Sequence, residues 1–156
     1  RVVKDEKIGM AFFDTLSIAP SKIYYRLELS EKGKFELKKI KEEEANKKIV
    51  KIINKRILAG KNIQLNLSDG GNFLIEPKFS CMTNDSILIN FKDKKIERCL
   101  PLKEKSKVIV FAGKHSGKIG QIEKILPEQI KARKMAIIDS GEKKINVLIK
   151  QMMVIE

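Results

Sequence analysis

Most apolar positions in this chain come in short bursts, and most bursts have the two-residue period of a strand. Ile63, Leu65 and Leu67 alternate with Gln64 and Asn66, which gives one apolar and one polar face. Ser68, Asp69, Gly70 and Gly71 follow. Glycine accepts positive φ, so residues 72–76 are predicted to return antiparallel. Ile23–Leu29 is rich in β-branched and aromatic residues, and a turn over Glu31, Lys32, Gly33 and Lys34 leads into Phe35–Ile40, a second hairpin. Residues 86–91 and 96–100, joined by a turn at 92–95, make a third. Beyond residue 104 come strand-like segments at 107–112, 118–126, 135–139, 144–149 and 152–155. Five short strands in about fifty residues predict a small, partly open barrel.

One segment has a different period. Ala45, Ile49, Ile52 and Ile53 fall at i, i+4, i+7 and i+8, which predicts a helix with one apolar stripe. Glu42, Glu43 and Glu44 occupy its first turn, where the helix dipole favours anions. Glu43–Lys47 and Glu44–Lys48 are i,i+4 pairs in the favourable order. Lys55 and Arg56 lie just past the end, and no residue near Lys41 can serve as a side-chain N-cap. The pattern as a whole predicts a mainly β chain with one helix, an α+β class. Pro101 and the run Lys103-Glu104-Lys105 mark a boundary. Residues 1–103 read as a β-rich domain carrying the helix, and 104–156 as an SH3-like barrel.

Charge narrows the partners. The 156 residues hold 33 Lys+Arg against 20 Asp+Glu, a formal charge of +13. The excess sits at the two ends: 15 basic and 9 acidic side chains in 1–60, 11 and 6 in 104–156, but only 7 and 5 between them. A field of that sign points to a polyanion, most simply nucleic acid. A membrane surface fits less well without a long basic amphipathic helix, and no apolar run approaches the roughly 18–20 residues of a membrane span. The single histidine, His115, excludes a histidine-based metal centre. Cys81 and Cys99 could form one disulfide at most; in a Lys-rich chain with so few cysteines they read as intracellular thiols used as small apolar side chains. The carboxylates show no pairing that suggests acid–base catalysis. The chain opens on Arg1 without a leader pattern, which reads as a fragment, a processed product or the ordered part of a longer protein.

The most distinctive stretch is 108–125, a strand, a glycine-punctuated loop and a second strand. Gly113 and Gly117 would let the loop turn sharply and bring its backbone close to a partner. Gly120 falls inside the second strand, where a small barrel needs a tight bend. Lys114, His115 and Lys118 ride on this loop, so Lys114, His115, Gly117 and Lys118 are candidate phosphate contacts. A second basic cluster, Lys131, Arg133 and Lys134, occupies the long loop before Met135. A third runs through Lys47, Lys48 and Lys51 to Lys55, Arg56 and Lys61. Gly117-Lys118 does not complete a nucleotide-binding P-loop, because Ala112 and Ile119 stand where its first glycine and its hydroxyl residue belong. Ser116 beside His115 lacks the geometry and third partner of a nucleophile–base pair. Tyr24, Tyr25, Phe12 and Phe13 offer possible stacking faces, but core use is the commoner fate of so few aromatics.

The 108–125 stretch resembles a KOW motif, the strand–loop–strand signature of SH3-like barrels in ribosomal proteins and transcription elongation factors. Upstream, the opening Gly9-Met-Ala-Phe-Phe-Asp-Thr-Leu-Ser-Ile18, then Tyr25-Arg26, Glu42-Glu-Glu-Ala45 and Leu65-Asn-Leu-Ser-Asp-Gly-Gly-Asn72 follow in an order that resembles the archaeal and eukaryotic small-subunit ribosomal protein four-e family. The resemblance spans essentially the whole chain. It implies a structural constituent of the small ribosomal subunit, cytoplasmic and on the ribosome, that binds ribosomal RNA through backbone and shape. Its partners would be that RNA and neighbouring ribosomal proteins, with no cofactor, metal, membrane, small-molecule substrate or enzymatic activity. It also implies an N-terminal helical domain whose last residues are 1–11. A barrel carrying Gly113-Lys114-His115-Ser116-Gly117 is superficially similar to the modified-lysine loop of the initiation-factor-five-A family, so a KOW-type or modified-lysine factor is the alternative.

Overall fold

The computed structural model describes residues 3–5, 7–58, 62–76, 79–126, 134–141 and 143–155. Its strands form three sheets in which every pairing is antiparallel. The first has three strands, β1 (Thr15–Ile18), β2 (Ile23–Leu29) and β3 (Phe35–Ile40), in sequence order. The second comprises β4 (Lys47–Ile57), β5 (Ile63–Leu67), β6 (Asn72–Ile75), β7 (Ser86–Asn90) and β8 (Lys95–Leu100), ordered β6-β5-β4-β7-β8. The third holds β9 (Lys107–Val110), β10 (Ile119–Ile125), β11 (Met135–Asp139), β12 (Lys144–Leu148) and β13 (Met152–Val154), ordered β12-β11-β10-β9-β13. The mainly β reading with one helix holds, as do the three hairpins and the five strands beyond residue 104.

The helix itself is one turn long, α1 (Glu42–Ala45). The expected stripe through Ile53 belongs instead to β4, an 11-residue strand. Two causes combine. Ile49, Val50, Ile52 and Ile53 are β-branched and stiff at χ1, which favours a pleated backbone. The strand is also buried on both faces in its first half, since Lys48, Val50, Lys51 and Ile52 are all inaccessible. Burial on both faces erases the alternation that identifies a half-exposed strand. The expected i,i+4 ion pairs do not form: Lys47 reaches Glu97 at 2.8 Å, while Glu44 lies 3.6 Å from Arg26.

Three apolar clusters hold the sheets. Val108, Val110, Ile122, Ile138, Met152 and Val154 anchor the core of the third sheet, and Leu100 joins it from β8. Val50, Ile52, Leu65, Leu67 and Ile87 anchor the second. Phe13 and Leu29 pack on Ile109 and Met153, joining the first sheet to the third. Phe12 stacks on Phe13 at 4.1 Å between ring centroids, so these rings serve the core. Cys81, before β7, and Cys99, on β8, are joined as a disulfide across 6.2 Å between Cα atoms. This corrects the expectation of two thiols: β7 brings the edge strand β8 back alongside the segment that leads into it.

Candidate nucleic-acid interface

The glycine-punctuated loop is built by its own backbone. The Gly117 N–H donates to the Val110 carbonyl at 2.8 Å, and the Val110 N–H to the Lys118 carbonyl at 3.0 Å. Inside that frame Ser116 N–H reaches the Gly113 carbonyl at 3.2 Å. Gly113 and Gly117 take φ of 89° and 88°, a region that side chains strongly disfavour. Gly117 is buried, and its close approach is to the chain itself. A Cβ there would overlap the Ser30 carbonyl oxygen and come within 2.8 Å of the Gly33 nitrogen, in the β2–β3 turn. The backbone approach that the sequence assigned to a partner is, at Gly117, an approach to the chain's own β2–β3 turn. Gly120 lies in β10 as expected, where a Cβ would overlap the Asp139 carbonyl oxygen and sit 2.7 Å from Ile138 Cγ2.

Docked on the β2–β3 turn, the loop presents its outer side to solvent. Lys114 is exposed there, while His115 and Lys118 are half-buried. Lys134 is exposed just before β11. Lys131, Arg133 and Lys61 lie outside the described residues. Arg56 is exposed on β4, but the Lys55 ammonium donates to the Cys81 carbonyl at 3.0 Å and so caps the second core.

Lys48 and Lys51 of β4 face inward, whereas Lys47 stays at the surface beside Glu97. Lys48 Nζ sits 2.7 Å from Asp14 Oδ1 and 2.8 Å from Asp69 Oδ2, tying the segment before β1 and the β5–β6 turn to the central strand. Burial works against ionisation of Asp69, but the Lys48 ammonium and the Gly71 N–H outweigh it and hold the carboxyl below its usual range. Lys51 is buried without a carboxylate. Its ammonium donates to the Ile149 carbonyl and, at 2.9 Å, to the Met152 carbonyl. These carbonyls flank the 3-10 turn Ile149–Gln151 that enters β13. Burial pushes the Lys51 ammonium down to about 8. Nearby, Val154 N–H donates to Ser86 Oγ at 3.0 Å, a second polar tie between the second and third sheets.

Sequence reasoning treated Lys47, Lys48 and Lys51 as a basic face. Their roles were missed because they depend on β4 being central. The readable signal was single lysines embedded in the run from Lys47 to Ile53, where lysine interrupts strand-like residues on both faces.

The described residues contain no group of three or more His, Cys, Asp and Glu side chains that could hold a metal ion, and no helix long and apolar enough to cross a membrane. The arrangement is a β scaffold with exposed cations on the glycine-punctuated loop, on other turns and on its strands.

Comparison with known proteins adds a family match. The model of ribosomal family S4e matches residues 21–96. The small ribosomal subunit protein eS4 of Nanoarchaeum equitans is 39% identical over 126 residues, covering 81% of this chain and 53% of that protein. The protein of the same name from Methanocella arvoryzae is 34% identical over 142 residues, covering 91% and 59%. The chain thus spans somewhat more than half the length of these relatives. A crystal structure of the ribosomal protein S4e from Thermoplasma acidophilum superposes over 99% of this chain and 77% of its own, with a TM-score of 0.82 at 24% identity. That likeness speaks to the fold.

Proposed function

We infer, from the premise that the chain belongs to the ribosomal family S4e, that it is a structural constituent of the small ribosomal subunit and binds ribosomal RNA. The observation that carries this reading is the 39% identity to a small-subunit protein over most of the chain. The net charge of +13 and the exposed Lys114 on a braced loop support it. Ammonium groups neutralise phosphates and release counterions, which supplies affinity without base readout. The deep, narrow major groove of A-form RNA resists side chains, so recognition is of backbone and shape. The rigid loop fixes where its charge meets the phosphates. Lys114, His115 and Lys118, with Lys134 and Arg56, are the proposed contacts on described residues; Lys131, Arg133 and Lys61 are proposed from the sequence alone. Neighbouring ribosomal proteins are the other partners, and the ribosome in the cytoplasm is the place of action. The division near residue 103 belongs to the same reading, with the third sheet as a KOW-type barrel lying wholly beyond it. Sedimentation of the tagged protein through a gradient tests the assignment. Migration with the small subunit, abolished by nuclease treatment, is expected; migration as free protein would refute it.

A further inference from the structure

β6 and β8 are the two outer strands of the second sheet, yet residues of both line one groove of 310 Å³. The sheet therefore rolls until its edges face each other without pairing. Phe73 on β6, Phe79 just beyond it and Ile96 on β8 supply apolar walls. All three are half-buried against the second core, which fixes the walls in place. Lys94, exposed in the β7–β8 turn, and Lys95, exposed at the start of β8, stand at the rim, and Glu76 is the one carboxylate among the described lining residues. The rim is thus net positive over a floor that holds two aromatic rings.

We propose that this seam is a binding site for one unpaired nucleotide of an RNA strand, its base among Phe73, Phe79 and Ile96 and its phosphate at Lys94 and Lys95. The proposal rests on the RNA-binding reading above and deepens it by naming a feature of the RNA. Bases stack on aromatic faces whatever their identity, and an apolar cleft beside two ammonium groups complements a flat ring joined to an anion. The volume is at the small end of ligand pockets, which run from about 300 to 1,000 Å³, and suits a single nucleotide. A protein strand is a poorer occupant, because, of the two edge strands, only residues 73–76 around β6 and 94–96 at the start of β8 line the groove, which gives an incoming backbone few hydrogen-bond partners. Glu76 fits as an acceptor for a ribose 2′-hydroxyl, the group that distinguishes RNA from DNA.

The test is aromatic NMR of the 156-residue chain with labelled phenylalanine, titrated with single-stranded hexa-adenylate and, separately, with a blunt RNA duplex. The single strand should shift Phe73 and Phe79, and the duplex should leave both in place. Lys94→Ala/Lys95→Ala, with an unchanged amide spectrum, should weaken the single-strand titration at least several-fold. If the single strand binds but Phe73 and Phe79 do not move, the seam site is overturned while the RNA-binding reading stands. If neither RNA perturbs any resonance at low salt, the RNA-binding reading itself falls. Movement of these rings by an extended apolar peptide and not by hexa-adenylate would assign the seam to a protein strand and also overturn the proposal.

Discussion

Two sets of lysines that look alike in sequence have opposite fates. On β4, Lys48 and Lys51 are buried and Lys55 reaches a core carbonyl, each held by groups from another part of the chain. On the glycine-punctuated loop, Lys114 is exposed on a backbone that is itself fixed by Ser30 and Gly33. The first set joins sheets; the second places charge at the surface. The number of Lys and Arg side chains therefore overstates how many cations this chain can offer to a phosphate. Lys48 is neutralised by Asp14 and Asp69 and Lys51 is sequestered between sheets, so neither is available to a phosphate.

The largest effect should come from Lys48→Met. It leaves Asp14 and Asp69 facing each other without their cation. Removing one partner of a fully buried pair costs about 3–5 kcal/mol, and because these carboxylates keep side-chain exposures of 34% and 19% the loss should fall at or below the low end of that range. Lys114→Met, an exposed change, should stay within about 0.5 kcal/mol. Urea unfolding of both variants measures the contrast, and equal stabilities would break it.

Next come the glycines. Sequence alone distinguishes Gly117, expected in a loop that approaches a partner, from Gly120, expected in a strand. The structure places backbone against both, so valine at either position should lower the melting temperature. At Gly117 the left-handed backbone alone contributes about 1–3 kcal/mol, with the overlap on Ser30 added. A Gly117→Val protein that melts like wild type would show that the loop is not docked on the β2–β3 turn.

A smaller effect follows from pH. Folded Lys51 titrates at about 8 against an ordinary value of 10.5. Between these values the unfolded state holds more protons, so stability rises with pH across that window and is flat from this source below it. The rise should be of order 1–3 kcal/mol. Lys51→Met should abolish it, and denaturant midpoints at pH 7.5 and 9.5 for both proteins provide the check. A wild-type protein with no rise would mean that Lys51 is solvated.

How much of this was legible depended on whether the deciding contact was local. The β2–β3, β5–β6 and β7–β8 hairpins and the third sheet were readable because turn residues and period-two alternation are local. β4 was not, because its assignment depends on what covers each face: Val50 and Ile52 meet the second core, while Lys51 meets carbonyls about a hundred residues away. The Cys81–Cys99 pairing was hidden for the same reason, since β7 must fold back before they are neighbours. Of the proposed RNA contacts, Lys114 was legible as a loop lysine. The rigidity of its loop was not, because the brace comes from Ser30 and Gly33 in another sheet.

The central claim, that loop lysines meet RNA while β4 lysines hold the fold, is tested most directly by filter binding to a small-subunit ribosomal RNA fragment over a salt series. Wild type and Lys114→Ala/Lys118→Ala are compared, with melting temperatures measured alongside. The expected result is a salt slope reduced by up to about two units and affinity lowered evenly across RNA sequences, in a double mutant that is still folded at the assay temperature. An unchanged slope and affinity in the double mutant would contradict it, showing that neither Lys114 nor Lys118 meets a phosphate.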